Sequence, residues 1–382
     1  MKSLYLVNNI APHYRKGIWE VMLKHPKLKF HLCFGKQEGI GIPTANFDFL
    51  ADAARRERIT HLKNLYIGKE VYIWQSGVLS TVLTKSFDAI IFVSHIYCLS
   101  TWLGVFICKM RGKKVIFWGH GVYGNESYLK VWLTLQFLKL ADKHLLYGAR
   151  AKKIMVELGF RSDDLYVVYN SLDYNAQATV RSQAANLSRG EVFPFFKNYQ
   201  KRTLIFIGRL TRVKRLDIFI EAGKFLNQNT IDYNLLIVGS GPMENDLKQL
   251  AKEGIESRWL HFYGASYSEE ETGRLLYHSD LTVSPGNVGL TAIHSLTYGT
   301  PVCTHGDFSN QMPEFEAIEE DENGFFFEKD NYVQLAEKIS EWFAKYGGKP
   351  KSSISAVVDH LYNPSIQRKV IERMLNNEPP LV

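Results

Sequence analysis

The sequence predicts an α/β protein with two doubly wound, Rossmann-like domains, because short apolar strands alternate with helical segments along most of its 382 residues. The strands are continuous runs of Val, Ile, Leu and Phe, which is typical of parallel strands covered on both faces. A polar stretch at 176–199 interrupts this alternation and predicts a linker. We therefore expect a first domain over 1–175 and a second over 200–361.

The first series begins at the N-terminus and justifies the first domain. Its predicted strands lie at 3–7, 29–35, 89–95, 115–118, 144–148 and 165–170. Helices are predicted near 16–24, 76–83, 98–110, 128–144 and before residue 159. Residues 89–108 contain no Asp, Glu, Lys or Arg and are long enough to span a bilayer. Polar residues divide this run, so we interpret it as a buried strand and helix of a βαβ unit.

The second series predicts the second domain in the same way. Its strands are expected at 202–210, 233–241, 259–265, 281–285, 300–306 and 324–328. Its helices are expected at 213–226, up to 252, near 269–277, within 289–299 and at 331–346, and a last helix follows at about 364–376. In such sheets, ligands bind beyond the carboxyl ends of the strands, so strand ends are where functional residues are sought.

Charge is unevenly distributed along the chain. The 46 Lys and Arg exceed the 39 Asp and Glu, for a net charge of +7. Residues 1–180 hold 24 basic and 13 acidic side chains, whereas 181–382 hold 22 and 26. The basic half suits anionic lipid or a phosphorylated acceptor, and the absence of a helix-turn-helix, zinc or RNP signature argues against nucleic acid. Four cysteines without CxxC spacing and a short N-terminal apolar run predict a cytoplasmic protein without a zinc site.

Four sequence features between 207 and 327 follow one another in a specific order. They are GRLTRVKRLDIFIEA, LLIVGSGPMENDLKQL, HFYGASYSEEETGRLLYHSDLTVSP and NVGLTAIHSLTYGTPV. Together they resemble glycosyltransferase family 4, the retaining nucleotide-sugar transferases of the GT-B fold. The resemblance covers about 200–330 closely and the N-terminal half more weakly. It implies two Rossmann-like domains with a cleft between them, and a C-terminal helix within about 362–382 that returns to the first domain.

The resemblance implies a donor site in the second domain. A departing nucleoside diphosphate gains negative charge, and a site without a metal must neutralise it with Arg, Lys and backbone N–H groups. In the family, the residues matching Arg209 and Lys214 bind the donor diphosphate, whereas the sequence alone also allows solvated surface cations. The other expected donor-binding residues are Gly208, Gly239, Gly264, Gly286, Asn287, Gly289, Leu290, Thr291, His294 and Glu314. No metal or other cofactor is expected.

The chain departs from the family at its Glu-x7-Glu pair. His294 stands at the second Glu position and Gly286 at the first. An imidazole can still hydrogen-bond a ribose hydroxyl, and Asn287 or Glu314 is expected to contact the sugar instead of the missing Glu. The departure leaves two alternatives open: a catalytically lapsed nucleotide-sugar-binding or scaffold protein, and a GT-B nucleotide-sugar epimerase.

The first domain offers candidate residues on the acceptor side. His120 lies between two glycines directly after a strand, where family members often have a His that contacts the donor sugar or lies near the attacking hydroxyl. A buried His bonded to backbone is the alternative. Asn9, His13 and Arg15 follow the first strand, where the family has an acceptor-side loop. The Lys-containing apolar helix at 128–144 is interpreted as a core helix rather than as an interfacial helix on anionic lipid.

The resemblance implies a metal-independent, retaining glycosyltransferase of surface polysaccharide or glycan biosynthesis. The donor would be UDP- or GDP-linked, and the acceptor a glycan or a polyprenyl-diphosphate-linked oligosaccharide. A leaving-phosphate oxygen would accept the proton of the attacking hydroxyl, so that no protein nucleophile is needed. The predicted location is the cytoplasm, with peripheral contact at the inner face of the membrane.

Overall fold

The computed structural model describes residues 1–36, 43–50, 52–68, 71–122, 128–230 and 232–382. The chain divides into two compact units, the first made of 1–173 with 363–382 and the second of 174–362. Each unit contains its own parallel sheet. The predicted α/β class, with two Rossmann-like sheets, is therefore confirmed.

The strands have the following bounds. They are β1 (Lys2–Asn8), β2 (Leu28–Phe34), β3 (Ile59–His61), β4 (Lys63–Ile67), β5 (Tyr72–Ser76), β6 (Ala89–Val93), β7 (Lys114–Gly119), β8 (Lys143–Leu146), β9 (Leu165–Val167), β10 (Arg202–Ile207), β11 (Tyr233–Val238), β12 (Leu260–Gly264), β13 (Leu281–Ser284), β14 (Val302–His305) and β15 (Gly324–Phe327). All of them pair in parallel except β4 and β5, which form an antiparallel hairpin that the sequence analysis missed.

The helices have the following bounds. They are α1 (Lys16–Leu23), α2 (Ala53–Arg56), α3 (Val78–Thr84), α4 (Leu99–Met110), α5 (Tyr128–Leu138), α6 (Ala149–Glu157), α7 (Tyr174–Ala184), α8 (Arg189–Val192), α9 (Leu216–Leu226), α10 (Glu244–Leu250), α11 (Lys252–Glu256), α12 (Glu269–His278), α13 (Thr291–Thr297), α14 (Tyr332–Tyr346), α15 (Lys351–His360) and α16 (Pro364–Leu375). Helix α15 was not predicted.

The first unit is a seven-stranded sheet in the order β3–β2–β1–β6–β7–β8–β9. Successive residues of β1 enter different cores, with Leu4 and Leu6 on one face and Tyr5 and Val7 on the other. This alternation covers both faces of the sheet, as a continuous apolar strand requires. The C-terminal helix α16 packs its apolar side chains into the core that holds Leu4.

The second unit is a six-stranded sheet in the order β12–β11–β10–β13–β14–β15. Its strand β10 also serves two cores, since Leu204 and Phe206 lie in one and Ile205 in the other. Helices α9 and α14 line the first of these cores. The chain runs from β10 outward to β12 and then returns to β13, so the strand order reverses between β10 and β13.

Residues 176–199 were expected to form a linker and instead belong to the second unit. They contain most of α7 and all of α8, and a capping box between Ser188 and Glu191 begins α8. Phe193 and Phe196 are buried in the core of the second unit. The sequence predicts a linker here because most residues of the stretch are polar, and these residues lie on the solvent-facing side of the two helices. The few apolar residues that attach it to the core do not change that composition.

Two segments of the first unit, 89–108 and 128–144, are rich in apolar residues. Residues 89–108 form β6 and most of α4 of a βαβ unit, as predicted, and within the described ranges no helix has the length and apolar character needed to cross a bilayer. The segment 128–144 was wrongly interpreted as one core helix. Helix α5 ends at Leu138, only its last residues Phe137 and Leu138 are buried, and Lys143 begins β8.

Candidate functional site

The carboxyl ends of β10 and β13 mark the candidate site of the second unit. The strand order reverses between these two neighbours, and in doubly wound sheets the loops at such a reversal diverge and leave a crevice for ligands. Arg209 and Lys214 follow β10, and 286–291 follow β13. Topology therefore brings most of the expected donor-binding residues to one edge of one sheet.

Glycines allow the loops at this edge to pack closely. A Cβ on Gly239, where φ is +142°, would lie 1.9 Å from the carbonyl oxygen of Gly208. The amide of Gly208 donates to Val238 O at 3.0 Å, and that of Gly239 donates to Gly264 O at 2.8 Å. These three expected donor-binding glycines thus hold the loops after β10, β11 and β12 against one another.

Gly286 lies where two backbone segments pack closely together. A Cβ at this position would lie 2.0 Å from the Val213 carbonyl oxygen. The Gly286 amide donates to Lys214 O at 3.1 Å, which fixes the loop after β13 against the turn that carries Lys214. No side chain fits between these backbones without displacing one of them.

Lys214 is held by the loop after β13. Its Nζ donates to the carbonyl oxygen of Asn287 at 2.7 Å and to Asn287 Oδ1 at 2.9 Å. Burial lowers the pKa of the Lys214 ammonium, and the buried Glu314 carboxylate opposes that shift. The structure therefore brings together Lys214, Asn287 and Glu314, which lie far apart in the sequence.

Arg209 and the start of α13 complete this edge. The Arg209 side chain is exposed, so its guanidinium is accessible to an anionic ligand. Thr291 donates its hydroxyl to Ile207 O at 3.2 Å and thereby ties the first turn of α13 to the end of β10. The carbonyls of Gly289 and Leu290 accept the amides of Ala292 and His294, both at 2.9 Å, as the helix begins.

Gln311 is a positioning residue that sequence reasoning missed. It is buried, and its Oε1 accepts the amide of Val288 at 2.7 Å. Its Nε2 donates to Thr304 Oγ1 and to His305 O, both at 2.9 Å. The side chain thus connects the loop after β13 to the end of β14 and fixes the backbone on which Asn287 and Gly289 lie.

His294 lies in a polar network rather than alone on a helix surface. Its Nε2 is 2.8 Å from Glu269 Oε1, and the Tyr298 hydroxyl donates to the same oxygen at 2.7 Å. Burial raises the pKa of Glu269, but His294, Tyr298 and Gln177 outweigh it and bring that pKa below its ordinary value. Glu269, also missed from the sequence, therefore binds the Nε2 atom of His294 within the second unit.

In the first unit, Arg15 and His120 both contact Tyr147. Arg15 is buried, its Nη1 donates to the Tyr147 hydroxyl at 3.0 Å, and its Nε and Nη2 have no hydrogen-bond partner. The guanidinium carbon lies 5.2 Å from the Trp19 ring centre and 4.7 Å from that of Trp118. The salt bridges of the described residues do not include Arg15, so its charge is stabilised by aromatic rings instead.

The His120 ring centre lies 4.9 Å from that of Tyr147. Burial, together with the nearby Arg15 charge, lowers the pKa of His120 to about 4. The imidazole is therefore neutral near pH 7 and has one donor and one acceptor nitrogen. Of the other acceptor-side candidates, His13 is exposed, and Asn9 accepts the side-chain amide of Asn64 through its carbonyl oxygen.

Comparison with known proteins adds a family match within the second unit. Residues 191–355 match the family model described as glycosyl transferases group 1. An uncharacterized glycosyltransferase of Haemophilus influenzae is 26% identical over 144 residues, which make up 37% of this chain and 39% of that protein. This chain therefore spans about two fifths of the length of the curated relative.

Solved structures match both units. HepE from Anabaena, in complex with UDP, matches with a TM-score of 0.68 at 16% identity, covering 98% of this chain and 100% of that one. The apo form of the lipopolysaccharide outer core galactosyltransferase WaaB also gives a TM-score of 0.68, at 15% identity, covering 98% and 99%. At this identity the likeness shows the fold, which is that of GT-B glycosyltransferases.

Proposed function

We propose that this protein is a glycosyltransferase that moves a sugar from a nucleotide-diphosphate donor to a glycan acceptor. The observation that carries the proposal is the pairing of Lys214 with Asn287 at the reversal between β10 and β13, beside the exposed Arg209. The family match over 191–355 covers these residues, and the HepE structure that resembles this chain contains UDP. UDP is therefore the first nucleotide to test, with GDP as the second.

The chemistry follows from the charge that develops on the donor. As the bond between the anomeric carbon and the phosphate oxygen breaks, negative charge grows on the diphosphate. Arg209 would bind two phosphate oxygens through its planar guanidinium, and Lys214 would supply a localised charge. Backbone amides at Gly289, Leu290 and Thr291 would add neutral donors where α13 begins.

We propose transfer with retention at the anomeric carbon. The acceptor oxygen bonds to that carbon on the face from which the diphosphate leaves, and a phosphate oxygen takes the hydroxyl proton. Because the acceptor oxygen attacks directly on this face, the step requires no protein nucleophile. Because Arg209 and Lys214 neutralise the phosphates, it requires no metal. Transfer in the presence of EDTA and an unchanged anomeric configuration in the product are the expected results.

We assign the acceptor to the first unit, where Arg15 and His120 lie around Tyr147. Two guanidinium nitrogens of Arg15 are buried without a hydrogen-bond partner, and leaving such a polar group unsatisfied costs about 1–3 kcal/mol. A phosphate or carboxylate of the acceptor would pair with this cation. The resemblance to WaaB and the basic composition of the first unit agree with a surface glycan carried on an anionic lipid.

The donor proposal is tested with two substitutions and a matched control. Binding of UDP, GDP and dTDP to the full chain is measured by calorimetry for the wild type, Arg209→Ala and Lys214→Ala. Loss of a charged hydrogen bond should weaken binding of the preferred nucleotide about 10- to 100-fold. Arg212→Ala is the control, because Arg212 is an exposed cation on the same turn and should leave affinity unchanged.

Turnover is then measured with nucleotide sugars and glycan acceptors. Wild-type affinity in both Ala variants would overturn the assignment of the donor site. Tight nucleotide binding without sugar transfer to any acceptor would favour the alternative of a catalytically lapsed protein. Conversion of the nucleotide sugar itself, without transfer, would favour an epimerase.

A further inference from the structure

Helix α4 of the first unit exposes its large apolar side chains to solvent. Its buried positions are mostly small or polar: Ser100, Thr101, Gly104, Val105 and Cys108. Its outward positions are Leu99, Leu103, Phe106 and Met110, with exposures between 38% and 74%. Their spacing of four, three and four residues forms one stripe along the helix. A surface helix normally shows the opposite distribution.

Helix α5, which packs beside α4, also exposes apolar side chains. Its outward side chains Tyr128, Leu129, Trp132 and Leu133 are between 41% and 87% exposed. The Trp102 ring of α4 lies 4.7 Å from the Phe137 ring of α5, so the two helices are packed neighbours. We define the apolar face as the four outward residues of α4 together with the four of α5. Large exposed apolar patches of this kind mark interaction sites.

Basic charge accompanies the apolar face. Lys130 and Lys139 are exposed on and just after α5. Over the whole first unit, 27 Lys and Arg stand against 15 Asp and Glu, whereas the second unit holds 19 and 24. The apolar face therefore lies on the positively charged unit of the molecule.

We propose that the apolar face docks the first unit on an anionic lipid surface, with Leu, Phe, Met and Trp side chains entering the headgroup region. Trp and Tyr favour this depth, and the lysines would bind lipid phosphates. A second copy of the chain is a poorer occupant, because a symmetric contact would bring two strongly basic units together. The proposal goes beyond sugar transfer, and it is tested without a donor or an acceptor.

The test measures vesicle binding of the full chain by co-sedimentation. Vesicles of phosphatidylcholine with phosphatidylglycerol should bind the wild type, pure phosphatidylcholine vesicles should bind it more weakly, and added salt should weaken the anionic binding. The variant Leu103→Gln/Phe106→Gln/Met110→Gln should reduce anionic vesicle binding by at least about tenfold. The variant Lys130→Glu/Lys139→Glu should also reduce it by about tenfold and remove its salt dependence.

The control variant is Ile255→Gln/Tyr332→Gln, which replaces exposed apolar side chains of the second unit and should bind vesicles like the wild type. Thermal unfolding of each variant checks that it is folded. Equal binding of the wild type and the triple variant would overturn the proposal, as would absence of binding to anionic vesicles. A dimer in light scattering that only the triple variant dissociates, without vesicle binding, would assign the apolar face to a second copy instead.

Discussion

At the scale of single residues, the Lys214 side chain is held in position before any ligand binds. A lysine side chain loses considerable rotamer freedom when it is held in one place. Here the carbonyl and side-chain oxygens of Asn287 hold the ammonium, and Glu314 supports its charged form against burial. Much of the ordering cost is therefore met during folding, so the diphosphate of the proposed donor would meet a cation that is already positioned.

For Arg15, the cost of burying a charge is set against the attraction of aromatic rings to that charge. Burying a guanidinium without a carboxylate partner costs several kcal/mol, and three aromatic rings at 5.2, 4.7 and 5.5 Å offset part of that cost. We predict that Arg15→Met changes the free energy of unfolding by less than about 1 kcal/mol, because it removes both the cost and the offset. The same variant should lower sugar transfer at least about tenfold, since the acceptor anion loses its partner.

Urea unfolding measures the free energy of unfolding, and initial rates measure sugar transfer. Lys16→Met serves as the control, because Lys16 is the neighbouring cation and is only partly buried. It should change neither value appreciably. A loss of more than about 3 kcal/mol in Arg15→Met, with the transfer rate per folded molecule unchanged, would assign Arg15 to packing alone.

Single residues also show the limit of sequence reasoning at this site. Arg209 and Lys214 could be proposed from the sequence because they match residues of the family that the chain resembles, and Arg209 also directly follows the end of a predicted strand. Gln311 and Glu269 could not be, because their roles depend on which backbone amide or imidazole lies opposite them after folding. A buried amide or an acidic residue in the first turn of a helix has no distinguishing sequence pattern.

At the scale of elements, the loop after β13 depends on backbone contact. Gly286 packs against Val213 O, where a Cβ would lie 2.0 Å away, whereas a Cβ on Gly289 would find its nearest neighbour at 3.9 Å. We predict that Gly286→Ala destabilises the second unit by about 2 kcal/mol or more. Gly289→Ala should cost less than about 1 kcal/mol but weaken nucleotide binding, because its methyl group would stand where, in the proposed donor site, the phosphate approaches the backbone.

Thermal unfolding and nucleotide calorimetry of both variants separate these effects. Gly348→Ala is the reference substitution, since a Cβ there has open space around it. Unfolding of Gly286→Ala at the temperature of the reference variant, or wild-type nucleotide affinity in Gly289→Ala, would contradict these roles of the two glycines.

Elements with strong apolar periodicity were predictable, and elements held by tertiary contacts were not. The strand β6 and the helix α4 follow directly from an uncharged run divided by polar residues. The hairpin of β4 and β5 has alternating, partly exposed residues that resemble a loop in composition. Helix α5 was misjudged because an apolar helix predicts burial, and nothing in the sequence shows that its outward face is left uncovered.

At the scale of the whole molecule, the chain crosses between the units twice. The second unit is one continuous segment, 174–362, whereas the first is completed by 363–382. Val370, Ile371 and Met374 of α16 are fully or almost fully buried in the core of the first unit. The continuous unit therefore contains all of its own sheet, and the first unit depends on a helix supplied from the other end of the chain.

We predict that 174–362 expressed alone folds cooperatively and binds the nucleotide preferred by the full chain with an affinity within about threefold. The reason is that its sheet, its two cores and the loops carrying Arg209, Lys214 and Asn287 all lie inside this segment. The matched fragment 1–173 should not fold, because it lacks α16. Circular dichroism, thermal unfolding and calorimetry measure these properties, and a disordered 174–362 or a stably folded 1–173 would show that the cores do not divide in this way.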